Sequence, residues 1–164
     1  MINTNDNSIE KNCNIYMSDW HFAVMILPYI NNAINKNIEI ITCFENDMTD
    51  KIEELVKKLN LKSTEKIRGI NWKNSNINNS KSIIKNLLEN NKEKLIIING
   101  TNKYIKEINE SLKDIIREKN NESKIEILDC YDFNSNKENI KKIVKKYKKI
   151  INTSGKNDIN KIIN

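Results

Sequence analysis

Leu95-Ile96-Ile97-Ile98-Asn99-Gly100-Thr101-Asn102-Lys103 is the stretch of this 164-residue chain on which the fold turns. Four consecutive apolar residues, three of them β-branched, are too few for a buried helix and suit a strand covered on both faces. The glycine closes the strand, and an amphipathic helix pattern follows at once over 101–119. Strand, glycine turn and helix start together place free backbone N–H groups, the Thr101 hydroxyl and the Lys103 ammonium at one spot, where a polar or anionic ligand is held. Gly100 is expected to allow close approach to the backbone there, in a φ that a side chain would penalise.

Outward from this unit the apolar period switches repeatedly between short continuous runs and helical spacing. It predicts strands over 12–17, 38–44, 66–72, 94–98 and 124–130, and helices over 20–35, 49–60, 79–91, 101–119 and 136–149. Such alternation predicts an α/β three-layer sandwich around a central, mainly parallel five-stranded sheet, RecA-like or Rossmann-like, with the first or fourth strand at its centre. Ser135-Asn136-Lys137-Glu138 reads as a capping box for the last helix, Thr49 as the cap of the second, and Pro28 as a kink in the first. One domain is expected over 12–152, between a flexible amino-terminal segment, 1–11, and a frayed tail, 153–164.

The chain carries 28 Lys+Arg against 22 Asp+Glu, a net charge of +6. Only Arg68 and Arg117 are arginines, the residue that bidentate phosphate recognition demands, so the charge reads as a solvated surface and direct binding of duplex nucleic acid is not expected. Cys13, Cys43 and Cys130 are odd in number, widely spaced and set in apolar runs, which makes them reduced core thiols. No run approaches the roughly 18 apolar residues of a membrane span, and Met1 to Lys11 lacks a signal-peptide core, so a cytoplasmic protein without membrane contact is expected.

Three glycines, Gly69, Gly100 and Gly155, cannot form a phosphate-wrapping P-loop or a dinucleotide fingerprint. The single histidine, His21, rules out a multi-histidine metal site and leaves Cys-His catalysis to chance proximity. No catalytic group, metal or cofactor is therefore expected. His21 stands beside Trp20 at the start of the first helix, where it packs, is solvated, or takes part in proton transfer or ligand contact.

In a parallel sheet the segments that follow the strands meet at one edge. Here they are Ser18-Asp19-Trp20-His21, Glu45-Asn46-Asp47, Asn99-Gly100-Thr101-Asn102-Lys103 and Tyr131-Asp132. The ligand crevice is expected between the first and fourth strands, with Ser18 and Asp19 across from Asn99, Gly100 and Thr101. Ser18, Asp19 and Thr101 are at the same time natural helix caps.

Cys13-Asn14-Ile15-Tyr16, then Pro28-Tyr29-Ile30, Ala33-Ile34 and the strand Ile38 to Cys43 are similar to the opening of MEDS domains, the DcmR-like sensory domains of dichloromethane-responsive repressors. Cys130-Tyr131-Asp132, a capped helix and Ile150-Ile151 resemble that family's closing strand, Tyr-Asp pair and final helix. The likeness spans 12–152. The chain departs from the family pattern in having no histidine at the opening of the first strand, Ala33 in place of a glycine, and Asn99-Gly100-Thr101 where the family has Thr-Gly-Glu. This resemblance implies a RecA-like domain without nucleotide-hydrolysing motifs, used as a sensor in signal transduction and transcription regulation. Standing alone, it would act through a small-molecule ligand or a signalling protein, with a homodimer among the assemblies open to it.

Ser18-Asp19, the helix from Thr49 to Leu59 and Asn99-Gly100-Thr101-Asn102-Lys103 also resemble CARF domains. There a Gly-Gly-Thr-Lys-type loop after the fourth strand helps bind cyclic oligoadenylate in antiviral signalling. Here the lysine is shifted by one residue and one glycine is present.

Overall fold

The computed structural model describes residues 9–119 and 123–160. Its elements run β1 (Ile9–Tyr16), α1 (Asp19–Asn35), β2 (Glu39–Phe44), α2 (Thr49–Lys58), α3 (Thr64–Arg68), α4 (Ile77–Leu87), β3 (Lys94–Asn99), α5 (Asn102–Lys119), β4 (Ile125–Asp132), α6 (Phe133–Asn136), α7 (Ile140–Val144), β5 (Lys149–Asn152) and β6 (Gly155–Asp158). They build a single six-stranded sheet of order β2-β3-β4-β1-β5-β6, parallel except for β6, which runs antiparallel to β5. The sheet is thus mixed and six-stranded rather than five-stranded, with β1 and β4 at its centre.

Strand residues alternate between two cores. Leu95 and Ile97 of β3, Leu128 and Cys130 of β4 and Phe44 of β2 pack beneath α1, α2 and α3 with Phe22, Ile26 and Ile30. Ile96, Ile98, Ile127 and Cys43 face the other way, toward α4, α5 and α7, with Ile84, Ile105, Ile108 and Leu112. Each fully buried aliphatic or aromatic side chain contributes about 1.5–3 kcal/mol. Burial on both faces is why these strands read as continuous apolar runs.

Residues 66–72 do not form the expected third strand. They supply the end of α3 and a loop that wraps the open edge of β2. Met48 N–H donates to the Trp72 carbonyl at 2.8 Å, Ser75 N–H to the Phe44 carbonyl at 2.7 Å, and the Thr42 hydroxyl to the Asn71 carbonyl. Ile67 and Trp72 both enter the core, tied by a 2.8 Å bond from the Trp72 indole to the Ile67 carbonyl. The segment carries the chain from one face of the sheet to the other and covers an edge that would otherwise pair with foreign strands.

Two caps also differ from expectation. The Asp132 carboxylate accepts the Asn134 N–H, and Ser135 donates its hydroxyl to that carboxylate at 2.8 Å, so no capping box forms and the expected helix over 136–149 is replaced by α6, α7 and the start of β5. Asp47, not Thr49, serves the start of α2, accepting the Thr49 N–H at 2.8 Å. Helix α1 continues through Pro28. The tail expected to fray turns back at Thr153-Ser154 into β6, where Gly155 adopts the positive φ of 103° that favours glycine, and Ile159 is buried. Strand β1 begins at Ile9, inside the segment expected to be flexible; residues 1–8 and 161–164 lie outside the described ones. Cys13, Cys43 and Cys130 are free, buried thiols.

Candidate ligand cleft at the carboxyl edge

Helix α1 leaves β1 toward the first face of the sheet, whereas α6 and α7 leave the adjacent β4 toward the second. Neighbouring strands whose exits diverge open a crevice between them. The switch therefore lies between β1 and β4, not between β1 and β3, which are separated by β4. An open cleft of about 630 Å³ occupies this edge, lined by Tyr16, Met17, Ser18, Asp19, Glu45, Asn46, Gly100, Thr101, Asn102, Lys103, Asp132, Asn134, Ser135 and Asn136.

Seven of the expected residues meet here: Ser18, Asp19, Glu45, Gly100, Thr101, Lys103 and Asp132. The other four do not line it. Asn99 is buried and accepts the Tyr16 hydroxyl at 2.6 Å, which locks the ends of β1 and β3 across β4. Tyr131 lies within β4 rather than after it, and its position in the pleat turns it into the second core, where its hydroxyl meets that of Tyr147 at 2.6 Å. Trp20 sits on the outer face of α1, and the His21 ring accepts the Met17 N–H at 2.9 Å through Nδ1. Asn46 and Asn102 come with the segments expected at this edge, whereas Tyr16, Met17 and the run Asn134 to Asn136 are additions; the short polar residues of that run are indistinguishable in sequence from ordinary turn and cap residues.

The helix starts at this edge are already served by the chain's own acceptors. Ser18 Oγ accepts the His21 N–H at 3.1 Å, and Glu45 reaches from the β2–α2 loop to accept the Thr101 N–H at 2.9 Å. Thr101 Oγ1 in turn accepts the Tyr104 N–H at 3.3 Å. The start of α5, expected to receive an anionic ligand, thus holds an internal carboxylate. Gly100 is required for a different reason from the expected one. Its φ is not positive, but a Cβ would fall 2.7 Å from Tyr104 Cδ1 and 2.9 Å from Glu45 Cβ, so the missing side chain is what lets Glu45 close onto α5. Glu45→Ala is accordingly expected to lower stability by about 1 kcal/mol, the usual worth of a helix cap; urea unfolding at neutral pH measures it.

Asp19 bonds the Lys51 ammonium at 2.5 Å. Asp132 is held by the neutral donors of Asn134 and Ser135. Lys103 is the one cationic residue in the lining. Among the described residues no group of three or more His, Cys, Asp or Glu side chains is placed to hold a metal ion, and no helix is long and apolar enough to cross a membrane.

The fold and the cleft define the class: an α/β domain with helices on both faces of a mostly parallel sheet and a polar crevice at its switch point. No family model, characterised protein or solved structure matches the chain.

Proposed function

We propose that this domain is a MEDS-like sensory or regulatory module of signal transduction. It takes a small polar ligand in the carboxyl-edge cleft and passes the bound state to a partner protein in the cytoplasm. The observation that carries the reading is the convergence of the loops after β1, β2, β3 and β4 on one crevice at the switch point. Of the two sheet types weighed from the sequence, the RecA-like one is favoured, because dinucleotide-binding sheets pair the first strand with the second, whereas β1 here lies between β4 and β5. The competing CARF-like reading requires an oligonucleotide phosphate near the start of α5, where Glu45 now sits.

A thermal-shift screen of small polar metabolites and cyclic oligoadenylates tests this. A native-state ligand at a hundredfold excess over its Kd stabilises by about 2.7 kcal/mol, a rise of roughly 5–10 °C for a domain of this size. Asn102 is exposed, lines the cleft and makes no side-chain hydrogen bond among the described residues, so Asn102→Trp should fill the cleft and abolish the shift while leaving the unliganded midpoint nearly unchanged. A ligand whose shift survives Asn102→Trp binds elsewhere and overturns the reading. A shift from cyclic oligoadenylate alone, lost in that variant, moves the assignment to the CARF-like function.

A further inference from the structure

Independently of the cleft, we infer that the amino half of the open edge of β2 is a docking groove for an extended, apolar segment of a partner protein, which joins the sheet as a further strand beside β2. The argument begins with the backbone. Glu39 N–H donates to the Glu93 carbonyl and Glu45 N–H to the Asn99 carbonyl, both at 2.9 Å, and the register of β2 on β3 runs unbroken between them. Successive residues of a strand turn their N–H and C=O to opposite sides, so Glu39, Ile41 and Cys43 serve β3 while Ile40 and Thr42 face the open edge. The chain covers that edge only from Thr42 onward, where the Thr42 hydroxyl donates to the Asn71 carbonyl and Ser75 N–H to the Phe44 carbonyl. The backbone N–H and C=O of Ile40 and of Thr42 have no partner among the described residues. A half-buried strand edge with unspent donors and acceptors is completed by another main chain.

Side chains shape the same place. A groove of about 580 Å³ runs along Ile38 to Thr42. Ile38, Ile40 and Ile70 line it from the first core, Ile41, Ile83 and Leu87 from the second, and all of these except Ile41 are partly exposed. Apolar surface thus awaits both faces of an added strand, whose successive side chains enter the two halves of the groove in turn. The segment that fits is therefore continuously apolar, not alternating. The Gly69-Ile70-Asn71 loop and α4 stand on either side of the β2 edge, so a strand that carries its own covering helices, such as β2 of a second copy, does not fit between them, whereas a bare extended segment does. Lys66 is the one charged residue in the lining and makes no ion pair among the described residues, so it favours a segment with an acidic residue at its end.

The probe is the capped peptide acetyl-Glu-Val-Ile-Val-Glu-amide, titrated into the full chain by calorimetry; a glutamate at each end lets either strand direction bring one to Lys66. It should bind. Its analogue N-methylated at both valines and the isoleucine keeps the side chains, lacks the ladder donors, and should bind about tenfold more weakly or worse. Ile40→Pro removes the donor on the open side and leaves the β2–β3 ladder in place, so it should weaken the parent peptide by a similar factor. Lys66→Glu, a change at an exposed position, should weaken it too, by a margin that shrinks as salt rises. Equal binding of the peptide and its methylated analogue reduces the groove to an apolar patch without strand addition and overturns the proposal. Failure of the peptide to bind overturns it as well, as does binding indifferent to both Ile40→Pro and Lys66→Glu. Sedimentation of the chain alone as a dimer that Ile40→Pro dissociates gives the edge to a second copy and overturns the partner segment.

Discussion

Gly100→Val is expected to destabilise the domain by roughly 2–4 kcal/mol, the sum of overpacking and the loss of a helix cap. The added Cβ would meet the Tyr104 ring at 2.7 Å and Glu45 at 2.9 Å. Neither neighbour yields freely. Tyr104 is buried, and its hydroxyl donates to the Ser75 carbonyl at 2.8 Å and lies 3.1 Å from Ser80 Oγ, so its ring joins α5 to the α3–α4 loop and to α4. Glu45 is the side chain that can move, and when it does the start of α5 loses its carboxylate. The thermal midpoint should drop by about 10 °C. Adding Glu45→Ala to Gly100→Val should cost less than Glu45→Ala does alone, because the two changes remove the same contact. Full additivity of the pair in urea unfolding would show that Gly100 acts independently of Glu45.

The second large effect belongs to the opposite face. Asp129 is fully buried on β4 and accepts the Tyr147 hydroxyl at 2.5 Å and Asn109 Nδ2 at 2.9 Å, with the Lys11 ammonium 3.7 Å away. Asp129→Ala leaves the donors of Tyr147 and Asn109 without this acceptor and should cost roughly 2–4 kcal/mol. Asp129→Asn separates charge from shape. Burial pushes the Asp129 carboxyl above the usual carboxylate range, against the opposing pull of Lys11, Tyr147 and Asn109. Between the ordinary value of about 3.9 and that raised value, the native state holds a proton that the unfolded chain has released. The group's contribution therefore falls as pH rises through this window and is fully lost above it. The native protein should accordingly lose stability relative to Asp129→Asn over that range. A difference between the two that does not change with pH would show that Asp129 is already ionised below it.

Both effects depend on contacts that are illegible along the chain: Glu45 and Gly100 are legible as edge residues but not as partners, and Asp129 not at all. Asp129, Glu126 and Asn14 stand in strands between apolar neighbours, and Asn12 between Lys11 and Cys13, where composition alone assigns polar side chains to solvent. Only the pairing of β1 with β4 brings Asn12 Nδ2 to within 3.0 Å of Glu126, which also accepts the Tyr29 hydroxyl from α1. The Oδ1 atoms of Asn12 and Asn14 are buried and accept nothing among the described residues. Residues 66–72 were misread because an apolar segment covering a sheet edge has the composition of a strand. Tyr131 is expected after a strand ending at 130, whereas β4 runs two residues further, to Asp132, so its place in the pleat, not a loop, decides where it faces.

By itself the sequence determined the class of fold, since short apolar runs alternating with amphipathic spacing have one economical burial, a covered parallel sheet. It also determined that the segments after these strands share an edge, because parallel strands end together. Tertiary structure alone decided the order of the strands, and hence that the crevice opens between β1 and β4. It also turned Glu45 onto the start of α5, so that the chain's own carboxylate accepts the Thr101 N–H there. The reason is physical: periodicity records which side of an element is buried, a local property, whereas strand order and the partner of a capping carboxylate depend on contacts between residues dozens of positions apart.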